Sequence, residues 1–464
     1  MSSSTTVQGT SAPKKLSWLN IIGYGMGDAS NNVGWQMMNM FLTTYYIYMG
    51  INPAVVAAIF LGARLFQAVV YLFAGNVTDS FQPNKNGKFR RLVVIFGLPL
   101  MVSVTLMYTI PSGSSMTIKI WWAIITYLLY QLFGALGGVP YGALLGAMSQ
   151  DANERQKLSS SRMFASAAVG VIFTFTLATR VNSMDPSKLF LPVVSVFCVL
   201  GALGYLFLYK TTFEQFTVQP EAKVSTLHSL KVMVRNKALF LVCLGALFMT
   251  NPVSSIAPIV AKEALTVGQP QLTTQITFAL TLVSVLAGVI VTPFSPLIVR
   301  KLGKKTTWIL GCAIVIVSSL CFIFVGNAWL AVLFIAVNSI GVQIINPCVW
   351  AMQADSVQYY EYTTGVKNTE GAAMAALSFS RQVGGAINSW AGPAILGFIG
   401  YQSGMNVAQD ASVQTSMRWS VGLVPSVIFA ISAIFIFFYP ITEKKFKEIT
   451  ETLKQRHAEE AGRS

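Results

Sequence analysis

Charge is scarce in this sequence: 11% of its 464 residues are Asp, Glu, Lys or Arg, against about 25% in soluble domains. With 54% of residues hydrophobic, no ordinary solvated surface can be built from it. That excludes a water-exposed enzyme, a disordered regulator and a coiled coil. Histidine is nearly missing. His228 and His457 are the two, both in hydrophilic stretches, so a histidine proton relay inside a membrane is excluded. Cys198, Cys243, Cys312, Cys321 and Cys348 lie in apolar runs without a CxxC pair or metal-ligand spacing, and read as core or lipid-facing thiols. The sequence also lacks a nucleophile elbow, a phosphate loop, paired catalytic carboxylates and a soluble nucleotide-binding domain. No catalysis, no cofactor, no metal and no ATP-binding subunit are expected.

What fills the chain instead is long apolar runs. A bilayer core of about 30 Å needs about 20 apolar residues per helix. Twelve such segments occur, near 20–48, 52–78, 92–110, 118–148, 158–180, 188–209, 237–261, 273–298, 307–325, 327–352, 370–400 and 418–440. The spacing predicts an all-α polytopic membrane protein of twelve transmembrane helices in two six-helix bundles. The divisions are a tail over 1–17, a first bundle over 18–209, a linker over 210–236, a second bundle over 237–440 and a tail over 441–464. The first apolar stretch is too long for a cleavable signal and lacks a small-residue cleavage site.

The net charge of +15 suggests nucleic acid in a soluble protein, but here the basic residues sit in short clusters between apolar runs. Lys14 and Lys15, the Lys85 to Arg91 cluster, Arg155 and Lys157, Lys210 to Lys237, Arg300 to Lys305, Lys367 and the Lys444 to Arg463 tail all fall on one side. Lys119, Arg180, Lys188, Lys262 and Arg418 fall on the other. The asymmetry places both termini in the cytoplasm of a plasma-membrane protein, with the lipid bilayer as partner and no nucleic acid. A basic, glycine-containing loop follows the second helix of each half, Gly87-Lys88-Phe89-Arg90-Arg91 and Arg300-Lys301-Leu302-Gly303-Lys304-Lys305. Duplicated transporters repeat in this way, although any cytoplasmic loop tends to be basic.

Few ionisable residues lie deep in the apolar runs. Asp28 is the one deep carboxylate, and Arg64 and Arg381 are the cations. Such charges are costly in a bilayer and are functional candidates. Asp28 either serves a substrate or forms a salt bridge with one of these arginines. Asp28, Asn32, Trp35 and Asn39 recur at steps of three and four and share one helix face, with Asn31 and Gln36 on its flanks. A stripe of carboxylate, amides and indole suits a polyhydroxylated ligand, since amides donate and accept while an aromatic face covers a sugar ring. The competing reading is a helix contact held by amides. Ser378, Ser380, Arg381, Gln382, Asn388 and Trp390, in a run with Gly384 and Gly385, supply a second cavity wall or a close helix packing. Tyr127, Tyr130, Gln131 and Tyr141 add aromatic contacts or packing.

Several motifs resemble the glycoside–pentoside–hexuronide:cation symporters of the major facilitator superfamily, in particular their bacterial glucuronide carrier type. They are Gly23-Tyr24-Gly25-Met26-Gly27-Asp28 with Asn31-Asn32; Gly87-Lys88-Phe89-Arg90; Val139-Pro140-Tyr141 followed by Glu154-Arg155 and Ser161-Arg162; Ala354-Asp355 through Glu361-Tyr362; and Phe438-Tyr439-Pro440 to Phe446. The likeness runs from Leu16 to Thr450. It implies the major facilitator fold and a secondary carrier moving a sugar or glycoside by alternating access, with a cation as coupling ion and a monomer as working unit. It implies substrate contacts from Asp28, Asn31, Asn32, Trp35, Tyr141, Arg162, Arg381 and Gln382, although Arg162 also has Glu154 and Asp151 as salt-bridge candidates. Cytoplasmic gate pairs would come from Asp79 with Arg90, and from Asp355 and Glu361 with nearby basic residues; the plainer reading is surface ion pairs.

The departures matter more. The resemblance implies two carboxylates on helix two, where this sequence has Gln67 and Tyr71, and an acid or amide where it has Gly138. A family lysine is Gln382 here, and a sugar-binding acid of some members is Asn32. Sodium wants carboxylate charge to offset its desolvation, so a sodium site is not expected. Either Asp28 carries a proton or transport is uncoupled. The alternatives are an uncoupled facilitator or exchanger for another small organic solute, and a non-transporting sensor.

Overall fold

The computed structural model describes residues 15–82, 87–111, 113–216, 226–249, 251–366, 369–405 and 407–461. The first half runs α1 (Trp18–Met37), a π-helical turn (Met38–Leu42), α2 (Thr43–Tyr48), α3 (Pro53–Ser80), α4 (Phe89–Met107), α5 (Met116–Met148), α6 (Ala152–Phe173) with a π-helical turn (Thr174–Ala178), and α7 (Pro186–Thr211). A short α8 (Thr226–Arg235) lies in the connection. The second half runs α9 (Lys237–Leu247), a 3-10 turn (Pro252–Ile256), α10 (Ala257–Val260), a π-helical turn (Ala261–Leu265), α11 (Pro270–Leu302), α12 (Lys304–Ile323), α13 (Ala328–Thr364), α14 (Glu370–Phe398) and α15 (Ala411–Phe437), with α16 (Glu443–Ala461) in the tail.

Ten helical runs among the described residues are long and apolar enough to cross a bilayer. Outside that set are α1 and α14, of 20 and 29 residues. They hold the polar stripes singled out above, which dilute their hydropathy without shortening them. With them the bundle has twelve long helical runs, in keeping with the twelve segments of the sequence. Large apolar side chains such as Phe164, Phe324 and Phe398 stay exposed, as lipid-facing residues should.

The two halves repeat one packing pattern. In the first, α1 packs on α6 and α7, α4 on α5 and α7, and α3 on α5. In the second, the run opened by α9 packs on α14 and α15, α12 on α13 and α15, and α11 on α13. These are the same five neighbour relations, position for position. The halves meet through α3 against α14 and α6 against α11, a reciprocal pair that follows from a two-fold relation, and through the Met38–Leu42 turn against the Pro252–Ile256 turn.

The repeat reaches single residues. The Glu214 carboxylate, just after α7, accepts from the backbone N–H groups of Lys88 and Arg90, both at 2.8 Å, at the start of α4. Glu443, just after α15, accepts from Lys304 N–H at 3.1 Å at the start of α12. Each carboxylate sits at a helix N-terminus, where unpaired N–H groups and the helix dipole favour negative charge. Each sits over a glycine at positive φ, Gly87 at 84° and Gly303 at 82°, where a Cβ would come within 2.6 and 2.9 Å of the glutamate. The glycine in each basic loop is thus required twice, by backbone angle and by space.

Hydrogen bonds between the halves cluster from mid-membrane to the end away from these caps. Asn182 accepts the Tyr48 hydroxyl at 2.7 Å and donates across the gap to the Pro258 carbonyl at 3.1 Å and Thr277 Oγ1 at 2.9 Å. Ser403 donates to the Ile51 carbonyl at 2.8 Å. At mid-membrane Arg64 Nε donates to Ser389 Oγ at 3.2 Å. Among the described residues the seal is weighted to that end.

Removing a charged cap costs about 1 kcal/mol. Glu214→Ala and Glu443→Ala should therefore each lower the unfolding temperature of the detergent-purified protein by a few degrees. The double variant should lose the sum, because the sites lie in separate halves. An unchanged unfolding temperature in either single variant counts against the cap.

Candidate functional site

Asp28 points from α1 toward α6, and its partner is neither Arg64 nor Arg381. Arg162 Nε donates to Asp28 Oδ1 at 3.0 Å. The expectation of a pair with one of the deep arginines of α3 or α14 is corrected, and so is the alternative that Arg162 binds Glu154 or Asp151. Glu154 instead accepts from the Leu16 N–H and the Ser149 hydroxyl, and Asp151 caps α6. Asn32, one turn beyond Asp28, donates to Asp28 Oδ2 at 3.0 Å and accepts from Ser166 at 2.8 Å. A carboxylate with a guanidinium on one oxygen and an amide on the other is well satisfied for a charge this deep.

The pair rests on an aromatic platform. Tyr24 and Tyr141 stack with centroids 4.9 Å apart, and the Arg162 guanidinium lies 4.8 Å from the Tyr141 ring. Both tyrosines are buried, and the Tyr141 hydroxyl donates to the Tyr24 carbonyl at 2.9 Å. Tyr141 therefore supports Arg162 from beneath, with its polar atom engaged. Asn31 turns to the opposite side, where its carboxamide oxygen accepts from Tyr205 at 2.7 Å. Of the residues expected at the substrate, the structure gathers Asp28, Asn32, Arg162 and Tyr141 into one cluster and sets Asn31 against α7. Tyr127, Tyr130 and Gln131 are packed inside.

A cavity of about 450 Å³ lies between the halves. Trp35, half exposed, is the contribution of the first half to its lining; the rest comes from the second half, including Arg381, Asn388, Asn338 and Gln343. Arg381 has Asn346 Oδ1 at 3.4 Å and the Trp350 ring at 5.3 Å, but no carboxylate within salt-bridge distance among the described residues. Of the amides of this wall, Asn388 was singled out in the sequence, whereas Asn251, Asn338 and Gln343 were missed. Asn251 Nδ2 donates to Asn338 Oδ1 at 2.9 Å, and Asn338 Nδ2 to Ser319 at 2.8 Å. Asn251 and Asn338, in two separate apolar runs, share no spacing by which they could be recognised.

The positions without family acids do come together. Arg64 Nη1 donates to Gln67 Oε1 at 3.2 Å. One turn on, Tyr71 meets Gln382 of α14, and its hydroxyl lies 3.6 Å from where a Cβ on Gly138 would stand. The place expected for a coupling cation is thus bordered by a fixed one, Arg64. A guanidinium about 4 Å from a sodium ion would repel it by roughly 4 kcal/mol at an effective dielectric of 20.

The gate pairs are only partly as expected. Asp355 is held by Lys304 Nζ, with oxygens at 2.8 and 2.7 Å. Both residues belong to the second half, on α13 and α12, so this contact cannot bridge the halves as a gate must. Arg90 donates to the Tyr209 and Thr212 carbonyls. The Asp79 side chain lies outside the described residues, and Glu361 sits half-buried in the last turn of α13.

A family model described as MFS/sugar transport protein matches residues 23–443. The glucuronide carrier protein homolog of Escherichia coli (strain K12) is 32% identical over 455 residues, spanning 96% of this chain and 97% of that one. The isoprimeverose transporter of Lactiplantibacillus pentosus is 26% identical over 456 residues, 96% and 92% of the two chains. Among solved structures, the chain is similar in fold to a bacterial homolog of the human lysosomal transporter Spinster in an inward-facing, unoccupied conformation. The TM-score there is 0.68 at 11% identity, covering 94% and 99%. A D-xylose-proton symporter gives 0.58 at 14% identity, covering 92% and 98%.

Asp28→Asn and Arg162→Gln should each destabilise the folded protein. The loss stays below the roughly 3–5 kcal/mol of a fully buried broken pair, because the Arg162 side chain keeps 37% exposure. The double variant should recover most of it. A double variant that loses the sum of the singles, in thermal unfolding of the purified protein, would show that the two charges do not act as a pair.

Proposed function

The chain belongs to the MFS/sugar transport protein family, and from that premise we propose that this secondary carrier of sugars or glycosides takes an acidic sugar and couples its movement to a proton. The observation that carries the reading is the charge around the cavity. Among the described residues, Arg381 on its wall and Arg64 at the contact between the halves have no carboxylate partner, whereas the deep carboxylate, Asp28, is already satisfied by Arg162. A guanidinium whose charge no carboxylate cancels favours a ligand that brings its own carboxylate or sulfonate. Hydroxyl groups would meet the amides of the second-half wall, and Trp35 would cover a ring face.

Alternating access then amounts to rocking one half against the other about the α3–α14 and α6–α11 contacts. The weighting of the seal among the described residues supports a state open toward the end that carries the termini. By the distribution of lysine and arginine that end faces the cytoplasm of a plasma-membrane protein. The cavity is lined by residues of one chain, so a single chain suffices as the working unit.

Asp28 is the residue for coupling. Protonation would neutralise it and release Arg162 from the first half's cluster. An acidic sugar entering a cell with a negative interior works against about 2.3 kcal/mol per charge for each 100 mV. One proton moving with it cancels that cost. Sodium would meet Arg64 and Gln67 instead of a carboxylate pair, and has no place in the cycle.

Uptake of radiolabelled p-nitrophenyl β-D-glucuronide into membrane vesicles should rise with an inward proton gradient and ignore a sodium gradient. Asp28→Asn should abolish uphill accumulation while leaving exchange measurable. Arg381→Gln should raise KM for the glucuronide about tenfold, a loss of roughly 1.4 kcal/mol, and change a neutral xyloside far less. Sodium stimulation, or unchanged accumulation in Asp28→Asn, would overturn the coupling scheme. An equal effect of Arg381→Gln on both sugars would overturn the acidic-substrate reading.

A further inference from the structure

We infer that one face of α14, carrying Arg381, Gly385 and Asn388, is a binding track for two linked rings, and that Gly385 decides whether the second ring is admitted. The inference rests on the acidic-sugar reading of the same cavity. Arg381, Gly385 and Asn388 stand at steps of four and three, so they share a stripe, and all three line the cavity. Seven residues of helix separate the ends of the stripe by about 10 Å. That is longer than one sugar ring needs and suits a ring with an aglycone or a second sugar.

The middle of the track is open. A Cβ built on Gly385 would find nothing within 4 Å, whereas one on its neighbour Gly384 would strike the Leu247 backbone at 2.6 Å. Gly384 is small because another helix packs there. Gly385 is small although no protein atom fills the space above it, and that space is the cavity. Beyond it, Asn388 Oδ1 is buried with no hydrogen-bond partner among the described residues. An orphaned amide oxygen costs about 1–3 kcal/mol, and because the Asn388 side chain lines the cavity, a turn of its carboxamide would bring that oxygen to a sugar hydroxyl. Trp35 faces the track from the first half and supplies the apolar surface against which a ring can lie.

The volume agrees. At about 450 Å³ the cavity falls within the roughly 300–1,000 Å³ of sites for drug-sized ligands. The acid group would anchor at Arg381, and the ring bonded through the glycosidic oxygen would cross Gly385 toward Asn388. A bulkier residue at 385 would then block the second ring and leave the acid-bearing one in place. Recognition of glycoside against free sugar acid would reside in the second half of the chain, away from the Asp28–Arg162 cluster.

The test compares p-nitrophenyl β-D-glucuronide with free D-glucuronate in the wild type and in Gly385→Ala, Gly385→Leu and Asn388→Leu, by uptake and by mutual competition. In Gly385→Leu, KM for the glycoside should rise about tenfold or more while the value for free glucuronate stays nearly constant. Gly385→Ala should fall between, and Asn388→Leu should follow Gly385→Leu. The unaltered sugar acid serves as the control for folding. If both substrates weaken alike, or neither does, the track is refuted while the carrier reading stands. If the wild type moves a neutral xyloside but neither acid, the acidic-substrate reading fails and the track falls with it.

Discussion

Charge inside a bilayer must be paired, hydrogen-bonded or used, and this protein does each of these in a different place. Asp28 and Arg162 answer one another within the first half, steadied by Asn32 and a stacked tyrosine pair. Lys304 and Asp355 do the same within the second. Arg64 and Arg381 are treated otherwise: their donors reach a serine hydroxyl, amide oxygens and an indole face, groups that satisfy geometry without cancelling charge. A pair closed within one half can travel with it as a rigid body. A charge left at the boundary between halves can be completed only by something that enters there.

The boundary is simple because the halves are alike. Five helix contacts recur in each, and the interface includes the reciprocal pairs α3–α14 and α6–α11, with the turns that follow α1 and α9 touching between them. Motion that preserves those two seams can open either end by turns. The end sealed here turns on Asn182, whose carboxamide accepts from its own half and donates twice to the other. Such bonds are strong enough to hold a state and few enough to exchange for others.

Much of this was legible in the residues alone. Apolar length gave a number of crossings with which the long helical runs are consistent, and the basic loops at Gly87 and Gly303 pointed to the repeat. The i, i+4 step from Asp28 to Asn32 became a hydrogen bond. Partners far away in sequence were not legible. Arg162 lies 134 positions from Asp28, and nothing local marks it as nearer than Arg64 or Arg381. Asn31 shows the limit of helical reasoning: one step in sequence turns a side chain about 100°, and here it met Tyr205 instead of the cavity. The amide wall on α13 and the open space at Gly385 are properties of neighbouring helices, and they have no local signature.

The carboxylates at Glu214 and Glu443 also bear on how the chain is made. Each follows the last crossing of its half, and each reaches back past four crossings to the start of the third. Its bond forms only when that half is already assembled around it. The first half can therefore complete itself during synthesis, before the second has emerged, in the N-to-C order in which domains fold. Glu214 then acts as the closing stitch of a finished module. The second half inserts beside a folded neighbour and is finished by the same stitch, one domain later.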